Sequence, residues 1–196
     1  MFGKAKTKIR NNFKGYIGEL KFNLAVFFLL GRSYKLLNNV TILMPDKNTT
    51  QIDHIIVSRY GIFVIETKNY RGEITVNERT GQWAQSFYQT SYQFYSPIRQ
   101  NNGHIGALRY LLKSKQYPLI NIVFFAGEAT FKNNTLPSGV AIGAMSVIKL
   151  IKSYKKKEIG RGGVAEIART IESRRLPNTR RTTRRHIKNM KKNNSR

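Results

Sequence analysis

Hydrophobic and polar positions fall into patterns that assign most of the chain to elements. The densest apolar stretch is 51–68, Gln-Ile-Asp-His-Ile-Ile-Val-Ser-Arg-Tyr-Gly-Ile-Phe-Val-Ile-Glu-Thr-Lys. β-Branched and aromatic residues dominate both halves, and Arg59-Tyr60-Gly61 supplies a tight turn, so two apolar strands in a hairpin are predicted. Upstream, Ile17, Leu20, Leu24, Phe27 and Phe28 recur at helical spacing and predict a helix from about Asn11 to Leu30, stopped by Gly31. Tyr34–Leu43 reads as a strand ended by Pro45, and Asp46–Thr50 as a polar turn. Downstream, Gly72–Val76 alternates as a strand with Glu73 outward, while Leu119–Phe125 and Val140–Ile142 read as further strands. Pro97 opens a helix to about Lys113, with Ile98, Ile105, Leu108, Leu111 and Leu112 as its buried stripe and Gly103 marking close approach of another backbone. Two more helices are predicted, about Met145–Lys156 and Val164–Arg174, separated by Gly160–Gly163, and no internal repeat is present. The mixture implies an α/β fold.

Into the central hairpin the chain places Asp53, Glu66 and Lys68. A two-residue turn sets Asp53 across from Glu66 or Lys68, according to which residues form it; a three-residue turn moves Asp53 to the other face. Glu66 and Lys68 share a face by the two-residue period of a strand. Two carboxylates in an apolar setting repel each other and lose hydration unless cations neutralise them. Lys68 supplies one positive charge and a divalent metal would supply the rest, although an ion pair at a strand end would also account for the cluster. His54 alternates to the face opposite Asp53 and is expected to be packed or hydrogen-bonded.

Asp53 followed by Glu66-Thr67-Lys68 at the close of the next strand resembles the Asp…(Asp/Glu)-x-Lys core of the PD-(D/E)xK nuclease superfamily. The longer string from Gln51 through Glu66-Thr-Lys68-Asn69-Tyr70-Arg-Gly72 is similar to the nuclease-related domain, NERD. Gly15-Tyr-Ile-Gly18-Glu19 upstream, Trp83 after the strands and Ser96-Pro97-Ile98-Arg-Gln100-Asn-Asn-Gly-His104 downstream agree with that family. The resemblance runs from about Gly15 to Leu112. It implies a restriction-endonuclease-like core, with a central mixed β-sheet flanked by helices, over residues 13–173. Residues 1–12 would be a basic leading segment and 174–196 a basic tail.

The resemblance also implies roles. Hard oxygen donors select Mg²⁺ or Mn²⁺, and Mg²⁺ keeps several waters while needing one or two carboxylates. Asp53 and Glu66 would be those carboxylates and the Thr67 carbonyl a third contact. Glu19 would add a carboxylate from the first helix; on helix pattern alone it is a solvated residue near a favourable dipole end. Lys68 would sit against the attacking water or the scissile phosphate. Gln100 would orient Lys68 or that water, with His104 its neighbour one turn along the same helix face. The activity implied is metal-dependent phosphodiester hydrolysis, of DNA before RNA, with endo- or exonucleolytic action open. A binding module on a nuclease-like fold, without turnover, is the alternative.

Charge sharpens the partner. The 196 residues carry 35 Lys and Arg against 10 Asp and Glu, a formal net charge of +25. That balance points to a polyanion, nucleic acid first and an acidic membrane surface second. The tail from Arg174 onward has ten cations and no acid, among them Arg174, Arg175, Arg180, Arg181, Arg184, Arg185 and Lys188, which would hold phosphates and order only on doing so. Even so, 25 of the 35 basic residues remain in the body against all ten acids. The absence of cysteine excludes disulfides and cysteine-ligated zinc and suits a cytoplasmic location. The apolar run Leu24–Leu30 is too short to span a bilayer, and no export signal or membrane association is expected. Two-site cutting would suit a homodimer, which the residues leave open. Finally, Gln82–Tyr95 interleaves aromatics with glutamine: most of these rings are expected to pack against the sheet, with base stacking as the alternative.

Overall fold

The computed structural model describes residues 22–77, 79–113, 117–132, 135–179 and 182. It is α/β: two mixed β-sheets with four helices. The described part of the first helix, α1, covers 22–30. There follow β1 (Lys35–Leu43), β2 (Thr49–Ser58), β3 (Gly61–Lys68), β4 (Gly72–Asn77), β5 (Gln82–Phe87), β6 (Thr90–Phe94) and α2 (Pro97–Leu112). The chain continues through β7 (Leu119–Phe125), β8 (Ala129–Phe131), β9 (Val140–Ile142), α3 (Ala144–Ser153) and α4 (Arg161–Arg174). Strand order is β1-β2-β3-β7-β9 in one sheet and β6-β5-β4-β8 in the other. The predicted strands are present, as are the predicted helices within the described residues, residues 11–21 of the first lying outside them; β5, β6 and β8 are additions.

Cα proximity divides the chain into two compact units, with boundaries falling inside β3 between Glu66 and Thr67 and inside β7 between Ile122 and Val123. One comprises Ser33–Glu66, Pro97–Ile122 and the described part of Tyr154–Arg196. Its core joins Ile55, Val57, Ile62 and Val64 of the β2–β3 hairpin to Leu108 and Leu111 of α2 and to Val164, Ile167 and Ile171 of α4. The α4 positions, three and four apart, make one helix face. Each fully buried Ile or Val contributes roughly 1.5–3 kcal/mol. The hairpin turn is the two-residue form, Arg59-Tyr60, with Ser58 paired to Gly61. Ser58 Oγ donates to the Gly61 carbonyl and accepts from the Tyr60 amide at 3.1 Å. Gly61 has φ +143°, and a Cβ there would collide with Ile120 of the neighbouring strand.

The β1–β2 ladder keeps one register from Lys35↔Val57 to Leu43↔Thr49 but skips the pair Asn39/Asp53. Asn39 takes the left-handed conformation, φ 52°, which asparagine adopts more readily than most residues. No residue is inserted, yet the core gathers Leu37 with Val40 and Ile52 with Ile55, three-residue spacings that strict alternation cannot give. Arg175 stabilises this irregular segment, its guanidinium donating to the Asn38 and Asn39 carbonyls at 3.1 and 2.9 Å.

The buried face of α2 differs from the predicted stripe. Pro97, Asn101, His104, Ala107, Leu108 and Leu111 are buried, while Ile98, Ile105 and Leu112 are only half-buried. Two polar residues thus take core positions because both are hydrogen-bonded there. Asn101 Nδ2 donates to the carbonyls of Val64 on β3 (2.8 Å) and Ile122 on β7 (3.1 Å) and to Asn121 Oδ1 (2.7 Å). Gly103 is exposed with open space beside it, so no backbone approaches it closely.

The other unit comprises the described part of Met1–Arg32 with Thr67–Ser96 and Val123–Ser153. Its centre is aromatic: Trp83 stacks on Phe125 at 6.3 Å and meets Phe131 edge-on, and Tyr70 meets Phe94 edge-on at 4.8 Å. Packing accounts for only part of the aromatic stretch. Phe87, Tyr88, Tyr92 and Tyr95 are exposed: Phe87 and Tyr88 lie past Ser86, where the β4 ladder begins, Tyr92 is on the edge strand β6, and Tyr95 follows that strand.

Candidate active site

Pairing of β2 with β3 proceeds from Ser58↔Gly61 to His54↔Ile65, and Asp53 and Glu66 are the next residues of the two strands in that register. The open choice between Glu66 and Lys68 as the facing residue is thereby resolved by the Arg59-Tyr60 turn. Asp53 is half-buried, at the point where the β1 ladder is interrupted. Thr67 and Lys68 follow Glu66 as the last residues of β3, both half-buried. Lys68's carbonyl accepts from the Ala126 amide at 2.9 Å; carbonyls alternate along a strand, so Thr67's is turned to the opposite edge.

Glu66 is 4% exposed. Its Oε2 lies 3.1 Å from His104 Nε2, and His104 Nδ1 lies 2.7 Å from Thr50 Oγ1. Nε2 donates to the carboxylate, and Nδ1 shares a hydrogen bond with the threonine hydroxyl, which can donate or accept. The chain Thr50–His104–Glu66 therefore holds ring and carboxylate together. Gln100, one turn before His104 on α2, is half-buried. Thr50 and Asn101 carry no motif of their own; the one sequence signal was the Gln100/His104 spacing.

His54 faces away from this group as expected. Its Nδ1 donates to Asn38 Oδ1 at 2.7 Å. Burial pushes its pKa down to about 4, against a smaller upward pull from the Glu66 carboxylate.

The remaining candidates divide. Glu19, Arg180, Arg181, Arg184, Arg185 and Lys188 lie outside the described residues. Arg174 and Arg175 are engaged by the fold. Arg174 Nη1 donates to the Leu111 carbonyl at the end of α2 (2.7 Å), and the Arg175 side chain is 13% exposed, with Glu172 and the β1 carbonyls as partners. Unsatisfied carbonyls at a helix end and at an interrupted strand are what a guanidinium serves best. Hydrogen bonding continues to the Leu176 amide, which donates to Thr41.

Among the described residues, no three His, Cys, Asp or Glu side chains are gathered as a metal-holding group. Two carboxylates and a main-chain carbonyl are nonetheless hard oxygen donors, of the kind that suits Mg²⁺ or Mn²⁺ retaining water.

These features define an α/β protein with a nuclease-like core whose central hairpin ends in Asp, Glu and Lys. A family model described as nuclease-related domain, NERD, matches residues 14–126, and the chain belongs to that family. It is 33% identical over 160 residues to an uncharacterized protein of Bacillus anthracis, covering 81% of this chain and 75% of that protein. No solved structure matches it. Among the described residues, no helix is long and apolar enough to cross a membrane.

Proposed function

We propose that the protein is a metal-dependent nuclease that hydrolyses phosphodiester bonds, in DNA before RNA. The observation that carries this reading is the β2–β3 register, which runs as far as His54↔Ile65 and leaves Asp53 and Glu66 next in line, with Lys68 two residues further along β3. Asp53, Glu66 and the Thr67 carbonyl would hold Mg²⁺ or Mn²⁺, with Glu19 as a further carboxylate. Bound there, the ion supplies Lewis-acid stabilisation of negative charge and a more acidic water. The chain's own groups do the rest. Lys68 places an ammonium against the phosphate and offsets charge as it develops in the transition state. His104 donates to Glu66 and holds it in one orientation, and Thr50 holds His104. Gln100 orients Lys68 or the water. The surplus of Lys and Arg grips the backbone without reading sequence, so affinity falls steeply with salt.

The test is nicking of supercoiled plasmid and degradation of end-labelled strands with Mg²⁺, Mn²⁺ or EDTA, comparing wild type with Asp53→Ala and Lys68→Ala. Metal-dependent cutting by wild type, with both variants silent yet still binding DNA, is expected. If all three bind alike and none cuts with any metal, the protein is a binding module and the nuclease reading is lost.

A further inference from the structure

The β5–β6 hairpin carries an aromatic face that the cleavage site does not use. The register Trp83↔Phe94, Gln85↔Tyr92, Phe87↔Thr90 puts these six residues on one face of the hairpin. At its inner end Trp83 is 2% exposed and packed with Phe94 and Phe125. Toward the turn the same face presents Phe87 and Tyr92, 40% and 63% exposed, and the turn itself presents Tyr88 at 92%. A ring layer that begins in the core thus continues into solvent, with Phe87 and Tyr88 edge-on at 4.5 Å.

Two features show that this tip is held in place. Gln85 Nε2 donates to the Arg71 carbonyl at 2.8 Å. Gly72 lies so close to Ser86 and Phe87 that a Cβ there would collide with the Ser86 carbonyl. A third feature runs against local preference: Tyr88 has φ +53°, a strained conformation for a bulky residue that Asn or Gly would take with ease. Strain of this kind accompanies function.

Chemistry selects the occupant. Gln82–Tyr95 contains no charged residue, and no Asp or Glu occurs from Arg79 to Gly127 in a chain of net charge +25. The large exposed groups at the tip are rings, flanked by glutamine amides. Planar rings amid amides, on a chain that attracts phosphate, suit unpaired bases. Gly72 is four residues beyond Lys68, hence within about 14 Å of it along the chain, a distance that a few nucleotides span.

We propose that Phe87, Tyr88 and Tyr92 form a stacking platform for the unpaired bases of single-stranded nucleic acid. The inference rests on the nuclease reading for the nature of its ligand, and its test separates the two. Fluorescence anisotropy in EDTA would follow labelled oligothymidine and a blunt duplex of equal length binding to the full chain. Tyr88→Asn, Tyr92→Ala, their combination and the doubly Phe-substituted control would be compared with wild type, and thermal melts would verify folding. Tyr88→Asn removes the ring while suiting the turn, so weakened binding cannot come from a collapsed hairpin.

Each lost ring is expected to weaken single-strand binding on the order of tenfold. Duplex binding and the slope of affinity against salt should not change, since no phosphate contact is removed, and the Phe control should bind as wild type. The proposal is overturned if the combined variant binds oligothymidine like wild type, or loses single strand and duplex equally. It is likewise overturned if oligothymidine binding persists while binding to phosphatidylserine vesicles or self-association is lost, which would assign the face to a membrane or a second copy. Cleavage run in parallel with Mg²⁺ reads the other claim. Wild type that binds oligothymidine through these rings yet never cuts refutes the nuclease reading and leaves the platform standing.

Discussion

The β2–β3 and β5–β6 hairpins share a form and differ in what surrounds them. Both are closed by two-residue turns, Arg59-Tyr60 and Tyr88-Gln89. The first runs through the core, with Ile55, Ile56, Ile62 and Val64 fully buried, and ends in Glu66, held by His104. The second is buried only at Trp83 and opens into exposed rings. The turns invert the usual economy of side chains. Next to the half-buried turn a Cβ on Gly61 would meet Ile120, whereas the exposed turn bears a tyrosine where glycine would be easier. Burial suits groups that must be held in one orientation, and exposure suits groups that must meet a ligand. On the proposed reading, chemistry falls to one hairpin and contact to the other.

Changes at five positions test that division, the largest expected effect first. Lys68→Ala should lower metal-dependent cleavage on the order of 10³-fold, about 4 kcal/mol of barrier, without lowering single-strand affinity more than one lost phosphate contact would; Tyr88→Asn should do the reverse. If Tyr88→Asn abolished cleavage at saturating substrate, the division of labour would be wrong.

The buried hairpin should also be the acid-sensitive one. The folded pKa of His54 lies at about 4, below the ordinary 6.5, so the unfolded chain takes up the proton first. Stability from the neutral ring is complete above pH 6.5 and is lost as pH falls toward 4, by about 3 kcal/mol. His54→Asn retains a donor for Asn38 and cannot titrate. Urea unfolding in EDTA at pH 6.5 and 4 should show that much less acid loss in the variant, and equal losses would place the sensitivity elsewhere.

His104→Ala deprives the Glu66 carboxylate of its imidazole donor. Cleavage should fall 10–100-fold, with a matching rise in the Mg²⁺ concentration required. His104→Gln, which restores an N–H donor, should recover part of both. A drop in cleavage with an unchanged Mg²⁺ requirement would argue against a role through Glu66.

The smallest effects belong to the turns and carry opposite signs. Gly61→Ala should cost about 2 kcal/mol as Ile120 and the strand shift aside, while Tyr88→Asn should stabilise by about 1 kcal/mol through relief of the left-handed tyrosine. Thermal melting of the two variants reads both directly, and a destabilised Tyr88→Asn would mean that the ring supports the fold.

Much of this protein was legible from residue order because the signals are local. Runs of Ile, Val and Phe make β2 and β3, Pro97 opens α2, and period two puts Glu66 and Lys68 on one face; these need only a backbone and its neighbours. The family motif was legible for the same reason, since Asp53 and Glu66-Thr-Lys68 are strand positions. Three-dimensional packing decided the rest. The Asp53–Glu66 pairing depended on which two residues turned. His104 and Asn101 took core positions that a hydrophobic count gives to isoleucines, because their partners, Glu66, Thr50 and the Val64 and Ile122 carbonyls, lie far away in the chain. Arg174 and Arg175 look like the start of a cationic tail until α2 and β1 present carbonyls to them. Periodicity reports which face a side chain takes, but hydrogen bonding and burial between distant segments are set only when those segments meet, and there the local pattern has nothing to say.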